Sequence, residues 1–152
     1  RPRADRERRW GRRRRPVPGA NEGASGVAVL LELARVLSPP PPGVWLAFFD
    51  AEDRGRLDGW PFCVGSTRMA ASLQPAPSAV VVADMVGGAG ARFYLERSSS
   101  VALSRALWRT ATELGLGETF VDEPRHAVWD DHTPFLQRGI PAVDIVDLDY
   151  PH

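Results

Sequence analysis

The chain has 152 residues, with 19 basic and 19 acidic side chains, three histidines, one cysteine, 43% hydrophobic and 25% charged residues. That is the make-up of one globular domain, long enough to build a core without disulfides, and a single cysteine excludes a cystine-rich scaffold. No run approaches the roughly 18–20 uninterrupted apolar residues of a membrane span.

The balanced charge conceals two unlike parts. Residues 1–15 hold nine arginines against Asp5 and Glu7, a leader of +7; the remaining ten arginines face seventeen acids, a body of −7. A run such as Arg12 to Arg15 can bind nucleic acid or an anionic surface. With Trp10 as its one aromatic and no amphipathic period, the leader reads instead as a solvated, poorly ordered segment, and no nucleic-acid role is expected. All the basic residues are arginine, which points to biased coding more than to a binding face. No apolar segment follows the charges, so no signal peptide is visible. The opening residue is Arg, and the chain reads as an internal piece of a longer protein.

Residues 16–24 (PVPGANEGA) are punctuated by Pro and Gly and read as a loop feeding a helix. From about Ser25 the apolar residues Val27, Leu30, Leu31, Ala34 and Leu37 recur at helical spacing, so this helix is expected to bury one stripe until Ser38 and four prolines end it. Residues 44–49 (VWLAFF) suit a strand covered on both faces, with acids beginning where it ends. A small helix over 66–73 and a buried strand over 79–85 follow, the latter ending at Asp84 and a Gly-rich turn. Residues 92–96 read as a short strand, and 101–114 as a helix with Gly115 as its C-terminal stop. A loop over 126–132, a short helix over 135–138 and a strand over 142–147 complete the chain.

Strands alternating with helices, and too apolar to have a wet face, predict a three-layer α/β/α domain around a mostly parallel mixed central sheet. In such folds ligands sit at the carboxyl ends of the strands. Acids gather at those ends: Asp50, Glu52 and Asp53 after the first strand, Asp84 near the end of the second, and Asp144, Asp147 and Asp149 in and after the last. Glu22 stands in the turn before the first helix, and Asp130, Asp131 and His132 in a late loop. Carboxylates crowded together repel one another unless a cation holds them, which points to a divalent metal. Acidic surface loops would give the same pattern. The neighbours Glu52 and Asp53 are suited to dividing two jobs, one carrying protons and the other a metal, although an ordinary acidic turn has the same spacing.

The blocks PGANEGASGVAVLLELARVL, FFDAED, CVGS, ADMVGG and DDHTPFLQRGIPAVDIVDLDYPH, in this order, resemble the zinc-dependent aminopeptidase and glutaminyl cyclase superfamily, metallopeptidase family 28. The similarity is to its bacterial glutaminyl-cyclase-like branch and runs over nearly the whole chain. It implies a zinc-exopeptidase-like fold and a partial catalytic domain over residues 16–152, truncated at both ends. It also implies zinc as cofactor, one ion if cyclase-like and two if aminopeptidase-like. Peptide or protein N-termini would be the substrate, with an extracellular or periplasmic location. By the same resemblance Glu22 and Asp53 are metal ligands, Glu52 is the general acid/base, and Asp84 and Asp130 belong to the hydrogen-bond network at the reacting centre. Trp129 is a candidate substrate-pocket residue. The DDH block favours the cyclase branch, since aminopeptidases tend to have Ser-Asp-His there. The implied reaction converts an N-terminal Gln to pyroglutamate with release of ammonia; hydrolysis of N-terminal residues and a catalytically impaired remnant are the alternatives.

Two departures bear on this. The family's zinc-ligand Asp is Glu22 here, and its second strand-end Glu is Asp53. One ligand is lengthened and the other shortened by a methylene, at a scale where catalysis is sensitive, since displacements of ~1 Å can cost about 10²-fold. The family's histidine ligands come from AHWD-type and WHT-type segments, which would fall before Arg1 and after His152. Weak or absent metal binding is therefore expected of these 152 residues alone. His132 is read as ordering its loop or capping the helix near Pro134, His126 as a pocket or ordinary loop residue, and Cys63 as a packed small side chain.

Overall fold

A computed structural model describes residues 19–53 and 59–150; the arginine-rich leader and His152 lie outside them. In chain order the elements are α1 (Ser25–Val36), α2 (Val64–Ser72), β1 (Val80–Asp84), β2 (Phe93–Leu95), α3 (Val101–Glu113), β3 (Phe120–Pro124), α4 (Thr133–Leu136) and β4 (Ala142–Val146). The strands form two parallel ladders: β1 runs beside β4 from Val80↔Ala142 to Asp84↔Val146, and β2 beside β3 from Phe93↔Phe120, with an irregularity between Tyr94 and Leu95. The fold is mixed α/β with parallel sheets, as the alternating pattern implies. No helix among the described residues is long and apolar enough to cross a membrane.

β4 is the centre of this arrangement. Successive side chains of a strand point to opposite faces, and β4 sends Ala142 into one core and Val143 into another. Ala142 packs with Ala70 of α2, Phe135 of α4 and Ile140, joined by Phe49, Met69 and Leu73. Val143 packs with Phe93 of β2 and Trp108 of α3, joined by Leu103, Leu107, Phe120 and Ile145. Helices thus cover β4 on both faces, which makes the three layers. Trp108 also ties the second ladder together, because its indole N–H donates to the carbonyls of Phe93 on β2 and Val121 on β3.

α1 meets β1 through its first turn. A Cβ on Gly26 would lie 2.3 Å from the carbonyl oxygen of Ala83, so glycine is what permits this approach. The serine before it accepts a bond from Val86 N–H at 2.9 Å and donates to the Asn21 carbonyl, while Asn21 Oδ1 accepts from Gly87 N–H at 2.8 Å. The turn carrying Glu22 is therefore fastened to the loop that leaves β1.

Three expectations change. The apolar stripe of α1 is largely uncovered: Val27 and Leu31 are exposed, as is Ala34, and only Leu30 and Leu37 are partly buried. The helix touches the sheet near its start, and no described element reaches the rest of the stripe. Residues 44–49 form no strand, and Trp45 is 71% exposed; an apolar run signals burial, but a ladder also needs a neighbouring strand, and among the described residues this run has none. β3 was not foreseen, because Asp122, Glu123 and Pro124 make its second half read as a turn, and that half is indeed exposed. Smaller shifts occur at element ends, α4 starting at Thr133 and not at 135.

Candidate active site

Each acid is delivered by a strand exit or a turn. Asp84 is the last residue of β1, and Met85 after it has φ 51°, a left-handed conformation that turns the chain sharply away. Glu52 lies in a turn opened by Ala51, also left-handed at φ 60°. That turn is held by the start of α2, where the N–H groups of Cys63, Val64 and Gly65 donate to the carbonyls of Glu52, Ala51 and Asp50. Unpaired N–H groups at a helix start need acceptors, and here the acidic turn supplies them. Left-handed φ at non-glycine residues is a form of backbone strain that concentrates at functional sites. Cys63, which caps α2 against the Glu52 turn, is a third case at φ 56°.

Asp130 and Asp131 come from the loop before α4. Both are buried, Asp131 N–H donates to Asp130 Oδ1, and the Thr133 N–H donates to the Asp130 carbonyl. Ser66 on α2, fully buried, donates its hydroxyl to Asp131 Oδ1 at 2.5 Å. Ser66 carried no assignment in the sequence, although it closes the CVGS block; a serine in a helix is too common to signal a role by type alone.

These segments meet around one open cavity of about 340 Å³, lined by Glu22, Glu52, Asp53, Asp84, Asp130 and Asp131 together with apolar walls from Val27, Phe48 and Val82. The structure therefore brings together five of the six candidates: Glu22, Glu52, Asp53, Asp84 and Asp130. Trp129 sits on the neighbouring loop, 60% exposed, and does not line this cavity. Cys63 is fully buried. Burial, then the nearby Asp131 and Glu52 carboxylates, push its thiol well up, so it is not a thiolate nucleophile.

Crowding sets the electrostatics. Glu52 is pushed up to about 9, by burial first and then by Asp130 and Asp53. Asp84 is pushed up to about 7, by burial and then by Asp130 and Glu22. Burial is also the main cause of the upward shifts of Asp130 and Asp131. Glu52 thus feels Asp130 and Asp53, and Asp84 feels Asp130 and Glu22, and like charges held this close favour the protonated carboxyl.

A divalent cation would relieve this repulsion, so the charge of the site suits one. The ligand count does not: a zinc site uses three or four protein donors, and among the described residues no three His, Cys, Asp or Glu side chains are arranged to hold a metal. The residues present therefore do not make a complete zinc site.

Parallel ladders, helices on both faces and carboxyls at the strand exits are the architecture of zinc-dependent exopeptidases, and comparison with known proteins agrees. Residues 8–152 match Peptidase family M28, and the chain belongs to that family. A glutaminyl-peptide cyclotransferase of Bothrops jararaca is 27% identical over 172 aligned residues, covering 88% of this chain and 47% of that protein. The crystal structure of a glutaminyl cyclase from an Acidobacteriales bacterium superposes with a TM-score of 0.80 at 30% identity, covering 94% of this chain and 52% of that one. A leucine aminopeptidase precursor from Bacteroides thetaiotaomicron superposes with a TM-score of 0.78 at 31% identity, covering 90% and 52%. The chain spans about half the length of these relatives.

Proposed function

We propose that this chain is the part of a glutaminyl-peptide cyclotransferase that carries the proton-handling acids, acting on peptides with an N-terminal Gln. The observation that carries this reading is the convergence of Glu52, Asp84 and Asp130 on one cavity. Glutaminyl cyclases among the relatives support the same choice.

In the reaction the α-amine nitrogen attacks the side-chain amide carbon of Gln. A C–N bond forms to close the five-membered ring, the bond to the amide nitrogen breaks, and ammonia leaves. One proton must travel from the attacking amine to the departing nitrogen. Glu52 is the group we assign to that transfer, because it lines the cavity among the other acids and a positioned carboxyl can both take and give a proton. Asp84 and Asp130 orient the amide nitrogen and keep Glu52 in register. Zinc belongs to this reading through the zinc-dependent relatives, with Glu22 and Asp53 as its ligands from this chain. Two donors are too few to complete a zinc site.

The test is the product. A Gln-initiated peptide given to the zinc-supplied protein that carries this chain should yield ammonia and a pyroglutamyl peptide, and a Leu-initiated peptide should yield no free amino acid. Release of leucine without ammonia would replace the cyclase by an aminopeptidase. Neither product would leave a non-catalytic remnant.

A further inference from the structure

Behind the cavity lies a carboxylate with no part in the reaction above. Glu96 follows β2, is 4% exposed, and is the acceptor for groups from separate segments. Its Oε1 receives the Ser98 N–H at 3.0 Å, the Ser98 hydroxyl at 2.5 Å and the Val128 N–H at 2.9 Å. Its Oε2 receives the Ser99 N–H at 2.7 Å and the Ser99 hydroxyl at 2.8 Å, and lies 3.4 Å from Nε2 of the fully buried His132. Ser99 Oγ in turn accepts the Asp144 N–H of β4 at 3.0 Å. Burial alone would push the Glu96 carboxyl up, but bonds from His132, Ser98 and Val128 outweigh it and hold the group well below the usual carboxylate range. An ionised carboxylate accepting this many donors is a rigid joint, since hydrogen bonds to a charged acceptor are shorter and stronger than neutral ones.

Val128 and His132 bracket the stretch that contains Trp129, Asp130 and Asp131. One side chain therefore pins both ends of the segment that brings two acids to the cavity. We propose that Glu96 is a positioning residue: acting through Val128 and His132, it fixes the height and direction at which Asp130 meets Asp84 and Glu52. The Ser98 hydroxyl, which donates to Glu96, also lies 3.1 Å from the Val128 carbonyl oxygen and 3.4 Å from His132 Nε2, so it packs against both ends of the same stretch. The role in turnover rests on the cyclase reading above; the clamp itself does not.

Two readouts on Glu96→Gln, in the zinc-supplied protein that carries this chain, test the proposal. Glutamine keeps the size but turns an NH₂ group toward N–H donors, so one side of the clamp opens. Amide hydrogen exchange over residues 128–132 is expected to accelerate by about 10-fold or more, the size of one lost bond to a charged acceptor, with β1 and α3 unchanged. Cyclisation of a Gln-initiated peptide is expected to lose about 10²-fold in kcat, with KM within about twofold, since misplacement by ~1 Å costs that much. Unchanged exchange over 128–132 in folded Glu96→Gln overturns the clamp. Faster exchange with full kcat overturns its role in positioning. If Glu96→Gln does not fold, Ser98→Ala is expected to show both effects at smaller size, and showing neither overturns the proposal. If the unaltered protein makes no pyroglutamate, it is the cyclase reading that fails, and exchange alone decides the clamp.

Discussion

Ser66 donates its hydroxyl to Asp131, and both partners are buried. Ser66→Ala leaves Asp131 short of a donor, and an unsatisfied buried group costs about 1–3 kcal/mol; chemical denaturation should show a loss of that size. Asp144 presents the opposite case. Among the described residues neither of its carboxyl oxygens has a hydrogen-bond partner, and His132 Nδ1 lies 3.9 Å from Oδ2. Burial, then Asp130, Asp84, Glu96 and Asp131, raise its carboxyl well above the ordinary 3.8. A raised acid favours the fold in its protonated form, so this contribution is complete below the ordinary value and is lost as pH rises through the raised one. Asp144→Asn has no such slope. The variant should melt higher than the unaltered chain at about pH 7–8, with the gap closing toward about pH 3; an equal gap at both ends would contradict the assignment. Glu52, Asp84 and Asp130 were singled out in the sequence by their clustering with other acids and by the family-like blocks around them; of the three only Asp84 ends a strand. Ser66 and Glu96 were not: one is a common residue in a helix, and the other follows a three-residue strand and reads as surface.

Among the elements, the join between α1 and β1 rests on one missing side chain. Gly26→Ala would place a methyl 2.3 Å from the backbone oxygen of Ala83, which cannot swing aside. Overpacking of this kind costs about 1–3 kcal/mol, and since the same turn carries Glu22, a lower melting temperature should accompany any change at the cavity. Trp108→Phe keeps most of the core but removes the donor to the Phe93 and Val121 carbonyls, and about 1–3 kcal/mol should again be lost in denaturant titration. β1, β4, α2 and α3 were legible from periodicity and stop signals. Where reading failed, the missing information was tertiary. Residues 44–49 and the stripe of α1 have the pattern of buried elements, yet burial needs a neighbour, and no described segment covers Trp45 or Leu31. β3 failed for the reverse reason: it pairs through backbone bonds that its acids and proline conceal.

At the scale of the molecule, β4 separates two cores while the strand exits and turns on one rim collect seven acidic residues, Asp50 among them, around a single cavity. Folding such a cluster together is unfavourable by itself, and protein stability elsewhere must offset it. Left-handed residues at 51, 63 and 85 stand at the same rim. A fold retains strain and repulsion where chemistry uses them. The central claim is that Glu52, amid these acids, moves the proton in ring closure. Steady-state cyclisation of a Gln-initiated peptide by Glu52→Gln, in the zinc-supplied protein that carries this chain, addresses it most directly. A positioned acid/base contributes about 10²–10⁴-fold, so kcat should fall by at least 10²-fold with KM little changed; a kcat equal to that of the unaltered protein would contradict the account.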